Sequence, residues 1–130
     1  SAGLGRRPVE WLASRDHMAV YESEDDVRSL APNMELLAQA EHFAVIATAP
    51  GRDVDFVSRF FAPRAGIAED PVTGSAHCTL IPYWANRLGK RKFHALQVSP
   101  RGGELWCEHT GDRVIISGRA VRYLEGLIYL

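Results

Sequence analysis

Between Glu69 and Cys78 the chain reads Glu-Asp-Pro-Val-Thr-Gly-Ser-Ala-His-Cys, which gathers two carboxylates, two hydroxyls, a glycine and an imidazole in one short segment. Carboxylates beside hydroxyls are the raw material of proton transfer, and backbone amides freed by a glycine turn are the raw material of anion binding. Pro71, Thr73, Gly74 and Ser75 also supply loop and cap chemistry: a fixed φ, a tight backbone and oxygens that accept from orphan N–H groups. A purely structural account has Thr73 or Ser75 capping a helix while Asp70 complements its dipole. A cap needs only one such group, so the density of unlike groups favours a working site.

The flanking segments say how this stretch is held. Upstream, Asp55–Pro63 is an apolar run closed by proline, which reads as a buried strand. Downstream, Thr79–Leu88 carries Leu80, Ile81, Tyr83, Trp84 and Leu88 at helical spacing over much of the circumference, the pattern of a helix buried within a domain. The strand therefore feeds an acidic loop that opens a helix, where unpaired amides and the positive end of the dipole converge. Pro82 removes the helical bond to the Cys78 carbonyl and predicts a kink or a strained first turn. Gly89 is a natural stop, and Lys90, Arg91 and Lys92 suit the negative end of the dipole better than a nucleic-acid patch.

Residues 1–12, with Gly3, Gly5, Arg6, Arg7 and Pro8, read as a basic flexible tether, and residues 13–130 as one lobe. Met18–Tyr21 is a first strand. Ser23 caps a short helix whose first turn holds Glu24, Asp25 and Asp26, and which Pro32 ends. Met34, Leu36, Leu37 and Ala40 make a second helix. Phe43–Thr48 is apolar throughout and reads as a strand buried on both faces. After the long helix, Phe93–Ser99, Glu104–His109, Arg113–Ser117 and Ala120–Leu130 are β-rich, with hairpin-like turns at Arg101–Gly103 and Thr110–Asp112. Arg59 lies among aromatics; it is either a structural ion pair with Glu69 or Asp55, or a group that orients an acid or grips a substrate carboxylate. The fold class expected is α+β: a curved, mostly antiparallel, barrel-like sheet wrapped around one central apolar helix.

The 130 residues carry a net charge of −1, which argues against a polyanionic partner and against disorder. No apolar stretch is long enough to span a membrane, no signal peptide opens the chain, and two cysteines form no disulfide framework, so a reduced cytoplasmic setting is expected. Cys107-Glu108-His109 and His77-Cys78 lack the paired spacing of a zinc site, so no metal is expected. Cys107 reads as core and His109 as an exposed imidazole. Ser75 is not in a Gly-x-Ser-x-Gly elbow, no dinucleotide fingerprint or P-loop occurs, and Cys78 reads as a buried inert thiol.

The string Arg59–Pro63 followed by Gly66–His77 closely resembles the C-terminal half of PhzF-like (phenazine biosynthesis-like) proteins. So do Pro82-Tyr83-Trp84, Gln97–Gly103, and Arg113–Gly118 with Ala120-Val121. The resemblance implies a lobe of the diaminopimelate-epimerase type, in which two lobes each wrap a sheet around a helix and hold substrate where the helix N-termini face each other. It implies a cofactor-free isomerase or epimerase that moves a proton on a small carboxylated substrate. Asp70 matches the cleft aspartate, and Thr73, Gly74 and Ser75 match the substrate-cradling turn; His77, one turn into the helix, is either a further donor to the binding cleft or a satisfied core histidine. Thr73 stands where cysteine-based epimerases carry their thiol, which argues against thiol-based racemisation here. The family's N-terminal lobe, with its proton-shuttling glutamate, is missing from this chain. Two functions are therefore expected: the C-terminal half of such an isomerase, working with a complementary N-terminal lobe, or a non-catalytic binding module that homodimerises through its cleft face.

Overall fold

Among the described residues, eight short strands and three α-helices follow in the order β1 (Glu10–Ala13), β2 (His17–Val20), α1 (Glu24–Arg28), α2 (Met34–Ala38), β3 (Val45–Pro50), β4 (Phe56–Ala62), β5 (Ile67–Asp70), α3 (Gly74–Leu88), β6 (Lys92–Gln97), β7 (Gly103–His109) and β8 (Val114–Ser117). They are seen in a computed structural model that describes residues 2–130. The order across the single mixed sheet is β1-β2-β3-β4-β6-β7-β8, and β5 pairs with β4 off this path. Two pairings are parallel, β2 with β3 and β4 with β6; the others are antiparallel.

Each parallel pairing needs a crossover, and each crossover lays helix against one face. The β2–β3 crossover carries α1 and α2, and the β4–β6 crossover carries α3. The central strands are consequently covered on both sides, and every residue from Phe56 to Ala62 is buried. Strand alternation sorts their side chains between two cores. Phe56, Phe60 and Ala62 join Ile46, Met18 and the α3 residues Ala76, Leu80, Ile81 and Trp84. Val57 and Phe61 join Val45, Ala47, Ala49, Val27 and Leu37 on the opposite face. Within the α3 core the Trp84 indole N–H donates to Thr48 Oγ1 at 3.1 Å, and that hydroxyl donates to the Val57 carbonyl at 2.7 Å.

The helix α1 opens as its sequence predicts. Ser23 and Asp26 form a reciprocal capping box, with bonds of 3.2 and 3.1 Å. Pro82 lies inside α3, which nevertheless runs unbroken from Gly74 to Leu88 before Gly89 ends it at a positive φ of 65°.

Four expectations need amending. The sheet is open, not barrel-like: β1 and β8 are its ends, and helices cover both faces instead of one helix filling a barrel. Residues 1–12 are expected as a tether; Ser1 lies outside the described residues, and the rest is anchored at two places, Leu4 being buried against the α1/α2 core and Glu10–Ala13 pairing with β2. Ile67–Asp70, read as loop, is a strand, because β4 has a free edge for it. Ala120–Leu130, read as strand, has no sheet partner and leaves Tyr123, Leu124, Leu127, Ile128 and Tyr129 almost fully exposed. Among the described residues no helix is long and apolar enough to cross a membrane.

One buried ion pair ties β4 to β5. Arg59 holds both carboxylate oxygens of Glu69, at 2.7 and 2.8 Å, and spends Nη1 on the Val27 and Leu30 carbonyls at the end of α1. Removing one partner of such a pair strands the other charge. Arg59→Leu should therefore lower unfolding free energy by about 3–5 kcal/mol, while Arg59→Leu with Glu69→Leu should cost clearly less, as read from urea midpoints.

Candidate functional site

Glu69 and Asp70 are neighbours with opposite fates. They end β5, whose successive side chains point to opposite faces. Glu69 turns to the α1/α2 side and is consumed by Arg59, so the ion-pair reading of Arg59 is the one the structure shows. Asp55, the other candidate partner, takes Lys90 and the His94 amide instead. Asp70 turns to the α3 side. It is half-buried, and its Oδ2 accepts from the Thr73 hydroxyl at 2.5 Å.

The bend from Asp70 to Thr73 is gripped from the other side by the end of β6 and the loop after it. Gln97 is 1% exposed; its Oε1 accepts from the Thr73 amide at 2.8 Å, and its Nε2 donates to the Asp70 carbonyl at 2.8 Å and to Thr73 Oγ1 at 3.0 Å. Ser99 donates to the Pro71 carbonyl at 2.7 Å and accepts from the Gly102 amide at 3.0 Å. Gly103 backs onto Val72 so closely that a Cβ there would lie 2.6 Å from the valine side chain. Glycine is required at that position by space.

Thr73 is the N-cap of α3 by backbone position, yet its side chain makes no capping bond. Gly74 and Ser75 behind it are exposed. The first amides of a helix have no intrahelical acceptor, so the tip of α3 presents N–H groups and the positive end of a fifteen-residue dipole to open surface. Asp70, Thr73, Gly74 and Ser75 thus come together as one cluster: a carboxylate, a hydroxyl and unsatisfied amides.

His77 is placed differently. It is fully buried one turn into α3, and its Nδ1 lies 2.7 Å from the Thr73 carbonyl. A carbonyl only accepts, so Nδ1 carries a proton and donates it, and the ring braces the tip from beneath. Its Nε2 is buried and has no partner among the described residues. Burial holds the imidazole below its ordinary range, and the Thr73 bond offsets only part of that.

Of the two cysteines, Cys107 is buried as expected, and burial pushes its thiol up to about 11. Cys78 is exposed on α3, where the sequence predicts burial: it lines an open hollow beside His109 and Val114 at the β7–β8 turn. Among the described residues no cluster of three or more His, Cys, Asp or Glu side chains is arranged to hold a metal ion.

Gln97 was not among the candidates. A signal for it exists in the sequence: Phe93, Ala95 and Gln97 share one face of a strand, so a carboxamide stands where a core residue is due. Only its partners, a bend twenty-odd residues away, turn that oddity into a role.

The model of the phenazine biosynthesis-like protein family matches residues 5–126. An uncharacterized isomerase of Pseudomonas aeruginosa is 55% identical over 128 residues, covering 98% of this chain and 49% of that protein. Another of the same description, from Halalkalibacterium halodurans, is 42% identical over 131 residues, again covering 98% of this chain and 49% of its relative. The crystal structure of a phenazine biosynthesis protein PhzF family member from Enterococcus faecalis superposes with a TM-score of 0.92 at 46% identity, covering 99% of this chain and 50% of that one. The chain spans about half the length of the relatives it matches.

The buried neutral imidazole makes stability depend on pH. The folded state resists protonating His77, whereas the unfolded chain takes a proton near the ordinary value of about 6.5. Stability is therefore complete above that value and falls as pH drops below it, by up to about 1.4 kcal/mol per pH unit for one group. Burial also lowers His17, with His42 beside it, which adds a slope of the same sign. Urea unfolding of the wild type and of His77→Leu between pH 7.5 and 5 should show the shallower slope in the variant, the difference belonging to His77.

Proposed function

The chain belongs to the phenazine biosynthesis-like protein family, and from that premise we propose that it is the C-terminal half of a cofactor-free isomerase that moves a proton on a small carboxylated metabolite. The observation that carries this reading is the pairing, within one bend, of a half-buried carboxylate with exposed amides at the mouth of α3. In this reading the substrate carboxylate sits on the amides of Gly74 and Ser75. Dipoles already aimed at that position stabilise the charge that grows on the adjacent carbon as its proton leaves, without reorganising at that moment. Asp70, with Oδ2 tied to Thr73, has Oδ1 left to orient the substrate or exchange the proton. His77 contributes from below, by fixing the Thr73 carbonyl, and Thr73 in place of a cysteine assigns the proton work to carboxylates.

A single bend on an open surface supplies one side of such a site. Excluding water and supplying an opposed acid or base fall to a complementary lobe, consistent with relatives that are about twice as long and named isomerases. The apolar tail after β8 supports the same need for a second half: Val121, Tyr123, Leu124, Leu127, Ile128, Tyr129 and Leu130 are exposed, an apolar surface of the kind that a partner ordinarily covers.

In the two-lobed protein, Asp70→Asn should reduce exchange of the substrate's carbon-bound proton with deuterated solvent by roughly two to four orders of magnitude, with the fold retained by circular dichroism. Proton NMR of small carboxylates incubated in D₂O measures this, and exchange that ignores the substitution removes Asp70 from the mechanism.

The same tail favours a second reading, in which this lobe alone is a binding module that pairs with its own copy around a two-fold axis, bringing two Asp70 bends together. Sedimentation of the isolated chain should then show a dimer at micromolar to millimolar concentration that deletion of residues 120–130 weakens. A strict monomer throughout rules the homodimer out.

A further inference from the structure

A glutamine facing inward on a strand carries a desolvation cost that only well-made hydrogen bonds offset. Gln97 meets it with three, all to one bend. These partners leave no doubt about which way the carboxamide points. The Thr73 amide only donates, so it faces Oε1; the Asp70 carbonyl only accepts, so it faces Nε2. The second Nε2 proton therefore goes to Thr73 Oγ1, and the hydroxyl's own proton is directed to Asp70 Oδ2 at 2.5 Å.

That arrangement runs against local preference. A threonine at the N-cap ordinarily turns its oxygen onto the amide two or three residues on, here Ser75 or Ala76. Thr73 has the extended backbone of a cap, φ −124° and ψ 107°, but not the bond. The caps of α1 and α2, Ser23 and Asn33, both make theirs, at 3.2 and 3.1 Å. What distinguishes Thr73 is the carboxamide of Gln97 on one side and Asp70 on the other.

We propose that Gln97 is a positioning residue that holds the Thr73 hydroxyl out of its capping rotamer, aims its proton at Asp70, and so leaves the first-turn amides of α3 free for a ligand anion. The role deepens the site reading above and rests on it for the anion. It assigns the uncapped helix tip to a buried residue on a distant strand.

The hydroxyl can be watched without any ligand. In proton NMR of the wild-type chain, the Thr73 hydroxyl proton should be protected from solvent exchange and shifted downfield, with cross-peaks to the Gln97 side-chain amide. A Thr73 hydroxyl in fast exchange overturns the proposal whether or not an anion binds. The second measurement follows the Gly74 and Ser75 amides in ¹⁵N spectra during titration with sodium malonate. Gln97→Met should let Thr73 cap the helix and weaken malonate binding on the order of tenfold. Adding Thr73→Val to that variant removes the competing oxygen and should restore most of the affinity. A merely structural glutamine predicts the reverse: the double variant binds no better than Gln97→Met, and that result overturns the proposal. Thr73→Ser keeps the hydroxyl and should bind as wild type. Wild-type amides that ignore malonate while the hydroxyl proton remains protected would refute the anion site alone.

Discussion

The organisation of this lobe depends on a conflict over one edge of β4. The first half of that edge pairs in parallel with β6, from Phe56 opposite Ala95 to Ser58 opposite Gln97. The second half pairs in antiparallel with β5, from Phe60 opposite Asp70 to Ala62 opposite Ile67. The two strands approach head to head and stop at Arg59, so their carboxyl ends meet and both chains must leave the sheet there. One leaves as the bend into α3, the other as the turn toward β7. Because backbone pairing cannot continue across the gap, side chains take over: Gln97 satisfies the amide and carbonyl that the ladder no longer reaches. The candidate site is the place where a sheet edge runs out.

Charge is apportioned by the same geometry. Alternation along β5 sends Glu69 to one face and Asp70 to the other. The first is neutralised by Arg59, which also closes the C-terminal end of α1. The second is half-buried, with one oxygen engaged. Two adjacent acids thereby meet different surroundings: one is consumed by a buried ion pair, and the other keeps an oxygen unengaged. Beneath them His77 stays neutral because burial disfavours its charged form, so the helix tip carries no cationic side chain competing for Asp70.

The ends of the sheet and the tail after β8 leave much of this lobe's apolar and backbone surface uncovered. A layer of helix on each face completes the two cores, yet β1 and β8 remain edges and a run of large apolar side chains after β8 stays in solvent. Unpaired edges and exposed apolar strands are ordinarily covered in natural proteins. The lobe superposes closely on 50% of the solved chain from Enterococcus faecalis.

Much of this could be read from the residues in order. The capping box at Ser23, the doubly buried strand before Pro50, the apolar helix ending at Gly89 and the acid-rich bend at its mouth are local patterns, each set by side chains close together in the chain. What escaped were features decided by distant partners. Glu10–Ala13 and Ile67–Asp70 have no convincing period of their own, and each is a strand only because an edge of β2 or β4 was vacant. Ala120–Leu130 has the composition of a strand and none of the neighbours. Sequence by itself determined that a carboxylate, a hydroxyl and a glycine turn would open a buried helix. Only the tertiary structure decided that the hydroxyl faces Asp70 and not the helix, since that choice belongs to Gln97, twenty-four residues away, and side-chain hydrogen bonds answer to proximity in space.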